Sequence, residues 1–317
     1  MRLLYSRHLE HFLAVCQARS LRKAAQGCGV TQPALSKSIR VLETALSVSL
    51  FERRSAGVVP TPAGEILRRH AVHIVDSARC LEAEIGALLG GEAGVLRIGA
   101  GMVWSVTHLP QWLARLHARF PKLQIATRSG VSEQLVPLLL DGELDVLVAS
   151  LSREPLPQGF RTVRLPDADM LAYGRRGHPL ARRRGVRLAD LSGCDFVGFA
   201  DDPQWHRHAE AAFAAAGLDA PRVLLHSSSL ETLLATVAAS DSLAILPASL
   251  GERAAAAGLT PVRLPAPVWR IGMGISHREH SAELAPLREL VAMACEPARA
   301  AMRTAGARGT ARGQRGR

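Results

Sequence analysis

Apolar residues near the start of the chain repeat at helical intervals. His8, Phe12 and Val15, with Leu9 and Leu13 beside them, keep the three-to-four spacing of an amphipathic helix over about residues 7–18. Ser20 suits the N-cap of a second helix, Leu21 to Gln26, rich in Ala24 and Ala25, which Gly27-Cys28-Gly29 then breaks. Thr31 caps a third helix, with Pro33 in its first turn, where a missing N–H is harmless. Its Ala34, Leu35, Ile39 and Leu42 form one apolar face, and Gln32, Ser36, Lys37 and Arg40 fall largely on the other. Leu50-Phe51 anchors an extended piece, Arg53-Arg54-Ser55-Ala56-Gly57 makes a basic turn, and Val58 to Pro60 returns from it like a small β-wing. Thr61-Pro62 repeats the cap-then-proline signal and opens a long helix. Along it Leu67, Ala71, Ile74, Ala78, Leu81, Ile85 and Leu88 alternate spacings of four and three, the period of a coiled-coil seam. Such a seam asks for a second helix, most simply from a second copy of the chain. A helix lying on its own domain is the alternative.

Gly90-Gly91 ends that helix, and short apolar runs then alternate with helical stretches. Strands are predicted around Val95–Gly99, Gln124–Thr127, Asp145–Ala149, Met170–Tyr173, Phe196–Gly198, Val223–Leu225, Leu243–Leu246 and Ile271–Ile275. Between them Leu109–Phe120, Glu133–Asp141, Trp205–Ala216 and Leu230–Ala239 read as helices. The alternation predicts α/β units on mostly parallel sheets. Leu165-Pro166-Asp167 and Leu264-Pro265-Ala266-Pro267 are either paired crossings between two lobes or two surface loops.

Length and charge refine this picture. A chain of 317 residues has room for two or three cores, and 48% hydrophobic residues are ample for burial. The net charge is +11, of which +4 lies in residues 1–92 and +6 in the last 20 residues, which carry six Arg and no acid. The body between is nearly neutral, so a small ligand suits it and a polyanion suits the ends. The Arg-rich tail over residues 303–317 is expected to be disordered, and serves either non-specific DNA affinity or solubility. Cys16, Cys28, Cys80, Cys194 and Cys295 never pair as CxxC, which disfavours a disulfide framework or zinc site and points to a reducing cytoplasm. No run approaches the length of a membrane span, and no export signal opens the chain.

The front of the chain resembles the LysR-type transcriptional regulators. The resemblance runs through Ala14-Val15, Ser20, Ala24-Ala25, Val30-Thr31-Gln32-Pro33-Ala34-Leu35-Ser36, Ile39, Leu42-Glu43, Leu50-Phe51-Glu52-Arg53 and Thr61-Pro62-Ala63-Gly64. It continues more weakly through Leu109-Pro110, Phe120-Pro121 and Gly142-Glu143-Leu144-Asp145-Val146, covering about residues 4–297. The family usually has Gly where Ser47 stands, so Ser47 either takes a strained positive φ or shapes that turn differently; it often has Leu at Pro60.

The resemblance implies a winged helix-turn-helix over residues 1–61 and a linker and dimerisation helix over 62–90. An α/β effector domain of two lobes, like those of periplasmic binding proteins, would follow. Lobe I would span 93–166 plus 268–297, and lobe II 167–267. Carried over from the family, Thr31, Gln32, Pro33, Ser36 and Lys37 would meet double-stranded DNA, with Arg53, Arg54 and, more weakly, Arg40 on the backbone or minor groove. A small-molecule effector, expected to be an anion held by helix N-termini, would sit among Gly101, Met102, Val103, Trp104, Ser129, Gly130, Phe199, Ala200, Ser227, Ser228 and Ser229. Trp104 serves there either as a ring platform or as packed core, and the serines either line the site or cap the following helix. The implied partners are a homodimer and homotetramer of the chain, and RNA polymerase.

Catalysis finds little support. No GxSxG elbow, Walker A loop or HExxH occurs, so neither metal nor cofactor is expected. His206 and His208, two apart on a helix, face away from each other, His70 and His73 read as a solvated face, and Asp201-Asp202 read as exposed loop acids. The competing class is a small-molecule-binding or catalytic α/β protein whose front domain serves only oligomerisation.

Overall fold

The computed structural model describes residues 7–54, 57–88, 94–200 and 202–296; the tail expected over 303–317 lies outside them. The chain divides into two compact units, Met1–Gly94 with Leu140–Glu143, and Val95–Leu139 with Leu144–Arg317.

The first unit opens with α1 (Arg7–Ala18), α2 (Leu21–Gly27) and α3 (Gln32–Leu46). The caps are those expected from the sequence. Ser20 Oγ accepts from Lys23 N and Thr31 Oγ1 from Ala34 N, both at 3.4 Å, while each cap residue stays extended. Leu9, Phe12 and Val15 of α1 pack on Ala24, Ala25, Leu35, Ile39 and Leu42, the apolar faces of the next two helices. A polar pin joins α1 to the back of α3, where His8 Nδ1 and His11 Nδ1 lie 2.5 and 2.8 Å from Ser38 Oγ. Burial, with His8 and Arg7 adding repulsion, pushes the His11 pKa down, so its ring is neutral at pH 7.

Ser47 ends α3 in the left-handed region at φ 54, ψ 31, so this serine takes the strained conformation that the family gives to glycine. The wing is the antiparallel hairpin β1 (Phe51–Arg54) and β2 (Gly57–Pro60). Thr61 then ties the next helix back, its Oγ1 donating to Ser49 O at 2.7 Å and accepting from Gly64 N at 3.0 Å. Gly64 is required there because a Cβ would run into the Leu50 carbonyl oxygen.

Helix α4 (Pro62–Leu88) divides the expected seam. Leu67 and Ala71 are buried in the winged domain's own core together with Val75, and Ile74 packs half-buried against it. Ala78, Leu81 and Ile85 are exposed, and the Leu88 side chain lies outside what is described. The seam is therefore not available to a partner along its whole length, because its first two turns cover α1.

The second unit runs β3 (Val95–Gly101), α5 (Met102–Thr107), α6 (Leu109–Arg119), β4 (Gln124–Gly130), α7 (Ser132–Leu140) and β5 (Val146–Ser150). It continues through β6 (Phe160–Arg175), α8 (Pro179–Arg182), β7 (Asp195–Phe199), α9 (Pro203–Ala215), β8 (Arg222–Ser227), α10 (Leu230–Ala238) and β9 (Ala244–Pro247). Helix α11 (Gly251–Ala256), β10 (Leu259–Pro261), β11 (Trp269–Arg278) and α12 (residues 285–296) complete it. The main sheet has the order β10-β6-β11-β5-β3-β4, with β9 also on β6; β7 and β8 form a separate pair.

The sheet is mixed, which corrects the expectation of mostly parallel pairing. β3 is parallel to β4 and β5, and β7 to β8, as βα units require. β11 runs antiparallel to β5 and β6, and β6 antiparallel to β9 and β10. The chain passes between lobes on two paired strands. Leu165 opposes Met273 and Ala168 opposes Ile271, with a bulge between the two pairs. Pro166 and Asp167 sit at that bulge, where a missing N–H breaks no ladder bond. The second crossing is therefore at Ile271–Met273, and Leu264–Pro267 lies before the strand.

One lobe is filled by Leu135, Leu139, Leu144, Leu147 and Ala149. The other has two clusters, centred on Phe196, Trp205 and Phe213 and on Val197, Leu233 and Leu246.

Candidate functional site

Two surfaces stand out, one in each unit. In the first, α3 starts at Gln32, and Gln32, Pro33, Lys37 and Arg40 are exposed while Ser36 is half-buried. Leu35, Ser38, Ile39 and Leu42 hold the opposite face in the core, so the polar face cannot rotate inward. Thr31 is occupied as the helix cap. On the wing, Arg54 pairs with Glu52 at 2.5 Å, a pair with both side chains largely in water; the Arg53 side chain lies outside what is described. The polar face of α3 has the size and donor–acceptor chemistry to meet base edges in a major groove.

In the second unit a cavity of about 330 Å³ opens where the two lobes meet. Of the residues predicted to hold an effector, Gly101, Met102, Val103, Trp104, Gly130 and Phe199 line it. Ser129, Ala200, Ser227, Ser228 and Ser229 do not. Ser227 Oγ accepts from Ser229 N at 3.1 Å, and Ser229 caps α10 by accepting from Thr232 N at 3.3 Å, so these two hydroxyls serve the turn. Trp104 combines the two readings left open for it, since it lines the cavity and also packs, with tilted rings, on His108 and Trp112 at centroid distances of 4.7 and 5.5 Å.

The sequence reading missed Thr107, His108, Ser132, Glu133, Ser150, Asp167, Asp169, Met170, Gln204, Trp205, Ile271 and Met273. It also took Asp202 for an exposed acid. Asp202 is instead the N-cap of α9, its carboxylate accepting from Trp205 N at 2.9 Å, and it lines the cavity. Asp202-Pro203 carries the same cap-then-proline signal as Thr31 and Thr61, and that signal was enough to find it. Asp201 lies outside the described residues.

The electrostatics of the lining also run against an anionic effector. Among the described residues its acids are Glu133, Asp167, Asp169 and Asp202, with neither Lys nor Arg beside them in the lining. Burial pushes the Asp202 pKa up; the Trp205 N–H opposes that, and the charge of Glu133 adds to it. Burial pushes the His108 pKa down, so that ring is neutral at pH 7.

His206 and His208 do not meet each other. His206 instead stacks on His226 of β8, Nε2 to Nε2 at 3.2 Å. Among the described residues no group of three or more His, Cys, Asp or Glu is placed to hold a metal ion. His70 is exposed and His73 half-buried.

Comparison with known proteins fits both surfaces. Residues 6–65 match the family described as bacterial regulatory helix-turn-helix protein, lysR family, and residues 89–296 match the LysR substrate binding domain. The DNA-binding transcriptional dual regulator OxyR of Escherichia coli strain K12 is 35% identical over 243 residues, 76% of this chain and 78% of that protein. A hydrogen peroxide-inducible genes activator of Dickeya chrysanthemi is 33% identical over 241 residues, 76% and 78% of the two chains. A full-length OxyR variant from Pseudomonas aeruginosa shares the fold with a TM-score of 0.70 at 21% identity, over 93% of this chain and 95% of that one. The chain belongs to the LysR family of bacterial helix-turn-helix transcriptional regulators, DNA-binding proteins with a C-terminal ligand-binding domain rather than enzymes.

Proposed function

We propose that the first turns of α3 read a specific DNA site, and that a small molecule in the lobe cavity changes how a homodimer, assembled further into a tetramer, sits on a promoter. The observation that carries this reading is the polar face of α3, held outward by four buried residues on its other side. Gln32, Pro33, Ser36 and Lys37 are the base and backbone contacts, with Arg40, Arg53 and Arg54 on phosphates. The exposed part of α4 is the dimer contact, and RNA polymerase is the further partner on the promoter. The domain limits proposed are residues 1–61, 62–90, 93–166 with 268–297, and 167–267. The cytoplasm is the compartment proposed; among the described residues no helix is long and apolar enough to cross a membrane.

Footprinting on genomic fragments tests the reading, because a chain whose front unit only oligomerises protects no selected sequence. With a dimer neutralising ~8 phosphates, log K falls against log salt with a slope near −7. Gln32→Ala is expected to cost about 1–3 kcal/mol on the selected site and little on random DNA. Lys37→Ala weakens both alike. Equal losses for Gln32→Ala on the two DNAs overturn that division of roles.

The peroxide response named for the relatives is not carried to this chain. Peroxide sensing favours an exposed thiol of low pKa. Here burial pushes Cys16 up to about 12 and raises Cys28 and Cys194 as well. Through these three thiols hydrogen peroxide is therefore expected to leave the footprint unchanged; Cys295 is half-buried, and the Cys80 side chain lies outside what is described. A footprint that shifts with peroxide and returns with dithiothreitol shows the opposite.

A further inference from the structure

The lobe cavity has a charge pattern of its own. Asp167 and Asp169 come from β6, Glu133 from the first turn of α7 and Asp202 from the start of α9. Three of them have arginine partners outside the lining: Arg164 with Asp167 at 3.2 Å, Arg270 with Asp169 at 2.7 Å and Arg207 with Glu133 at 3.2 Å. Those arginine side chains are 69%, 65% and 51% exposed, so the pairs form a rim in water, where such pairs are weak. Asp202 is the deeper acid, and its carboxylate caps its own helix, accepting from Trp205 N at 2.9 Å.

Two of the helix starts at the cavity, those of α9 and α7, are already occupied, while α5, only six residues long, begins at Gly101 without a side-chain cap. At α9 the first residue is Pro203, which has no N–H, and Asp202 takes the Trp205 N–H. At α7 Glu133 lies in the first turn, and Ser132 Oγ donates to Ser150 O at 2.8 Å. Much of the rest of the wall is apolar and soft, with Thr107, His108, Ser150 and Gln204 among its polar members. Trp104, Phe199 and Trp205 with Met102, Met170 and Met273 suit an apolar body, and aromatic rings also attract a cation.

We propose that the cavity takes an organic monocation, an ammonium group on an apolar or aromatic body, with Asp202 as its counter-charge. The acids at the rim draw the cation in, the carboxylate of Asp202 holds it, and the aromatic and thioether wall covers its body. This assignment rests on the reading of the cavity as the effector site.

Three probes of similar size and different charge test it on the full chain: 2-phenylethylamine, 3-phenylpropanoate and 3-phenylpropanol. Titrations are followed by calorimetry and by the fluorescence of the wall tryptophans. The amine is expected to bind at least about tenfold tighter than the carboxylate, one decade being a modest electrostatic preference. Asp202→Asn keeps an oxygen for the helix cap and removes the charge; it should weaken the amine about tenfold and leave the alcohol within about twofold. If that variant does not fold, Glu133→Gln replaces it, with a loss of about threefold expected for a more exposed acid. Equal or tighter binding of the carboxylate, binding of none of the probes, or indifference of the amine to both substitutions overturns the assignment. Footprinting with each probe separates the two claims. A carboxylate that shifts the footprint keeps the effector reading and ends this one. An amine that binds through Asp202 without moving the footprint does the reverse.

Discussion

Leu81→Glu combined with Ile85→Glu will leave the chain monomeric at concentrations where the parent is a dimer, and will abolish tight binding to a two-half-site operator. These side chains are 57% and 47% exposed on the half of α4 beyond the winged domain's core. They continue the stripe of Leu67, Ala71, Ile74 and Ala78 with the spacing of a two-helix seam. At about 1.5–3 kcal/mol for each fully buried Leu or Ile, the four side chains of a symmetric pair hold several kcal/mol of association energy. Glutamates would also set like charges against each other across the seam. A rise in dimer dissociation constant of at least about 100-fold follows, since ~1.4 kcal/mol is a factor of ten. DNA affinity falls with it, because one half-site no longer raises the effective concentration of protein at the other. Light scattering after size exclusion reads the first effect and gel shift the second. The far-UV circular dichroism should stay close to the parent's, since neither position is in a core, while the melting temperature falls by what dimerisation had added. A double variant that remains dimeric moves the dimer contact off α4.

The winged domain was legible because its signals are local. Ser20, Thr31 and Thr61-Pro62 declare helix starts within three residues of themselves, and each is observed as a start. What α4 packs on was not legible. A 3.5-residue stripe looks the same whether it is covered by another chain or by α1, and here its first two turns are covered by α1. β6 was read only over Met170–Tyr173, yet it spans Phe160–Arg175. Pro166, Asp167 and Asp169 lower strand propensity; the opposing bulge in β11 accommodates Pro166 and Asp167, and Asp169 pairs in register with Arg270. The cavity was half legible. Gly101 to Trp104 follow a strand directly, which places them at its carboxyl end. The acids come from three separate segments, and their shared negative field exists only after folding. The expected anion site rested on helix N-termini in general; the starts of α7 and α9 carry their own acids, while that of α5 at Gly101 carries none.

Arg278→Met should destabilise the second unit by about 2–5 kcal/mol, since two buried carbonyls lose their donors at about 1–3 kcal/mol each. Arg278 ends β11 and is 0% exposed, the largest of the fully buried side chains. Its guanidinium donates from Nη1 to Leu144 O at 3.3 Å and from Nη2 to Leu139 O, and lies 5.2 Å from the centre of the Phe160 ring. Leu139 is in the last turn of α7, so the arginine binds one of the carbonyls that the end of a helix leaves without intrahelical N–H partners, and the second acceptor, Leu144, lies just beyond the helix. A cation there also meets the negative end of the helix dipole. Arg stays protonated at any accessible pH, and its planar fork reaches two acceptors at once. Methionine fills much of the space and leaves both carbonyls without these donors. Lysine keeps the charge and loses the fork, so Arg278→Lys is expected to fall between the parent and Arg278→Met. The effect reaches the cavity, because Arg278 anchors the far end of the strand whose Ile271 and Met273 line it. Urea unfolding of the full chain, followed by tryptophan fluorescence from residues of the second unit, reads the loss directly. A midpoint for Arg278→Met within about 1 kcal/mol of the parent assigns the end of β11 a spectator's role and leaves α7 held by its leucines alone.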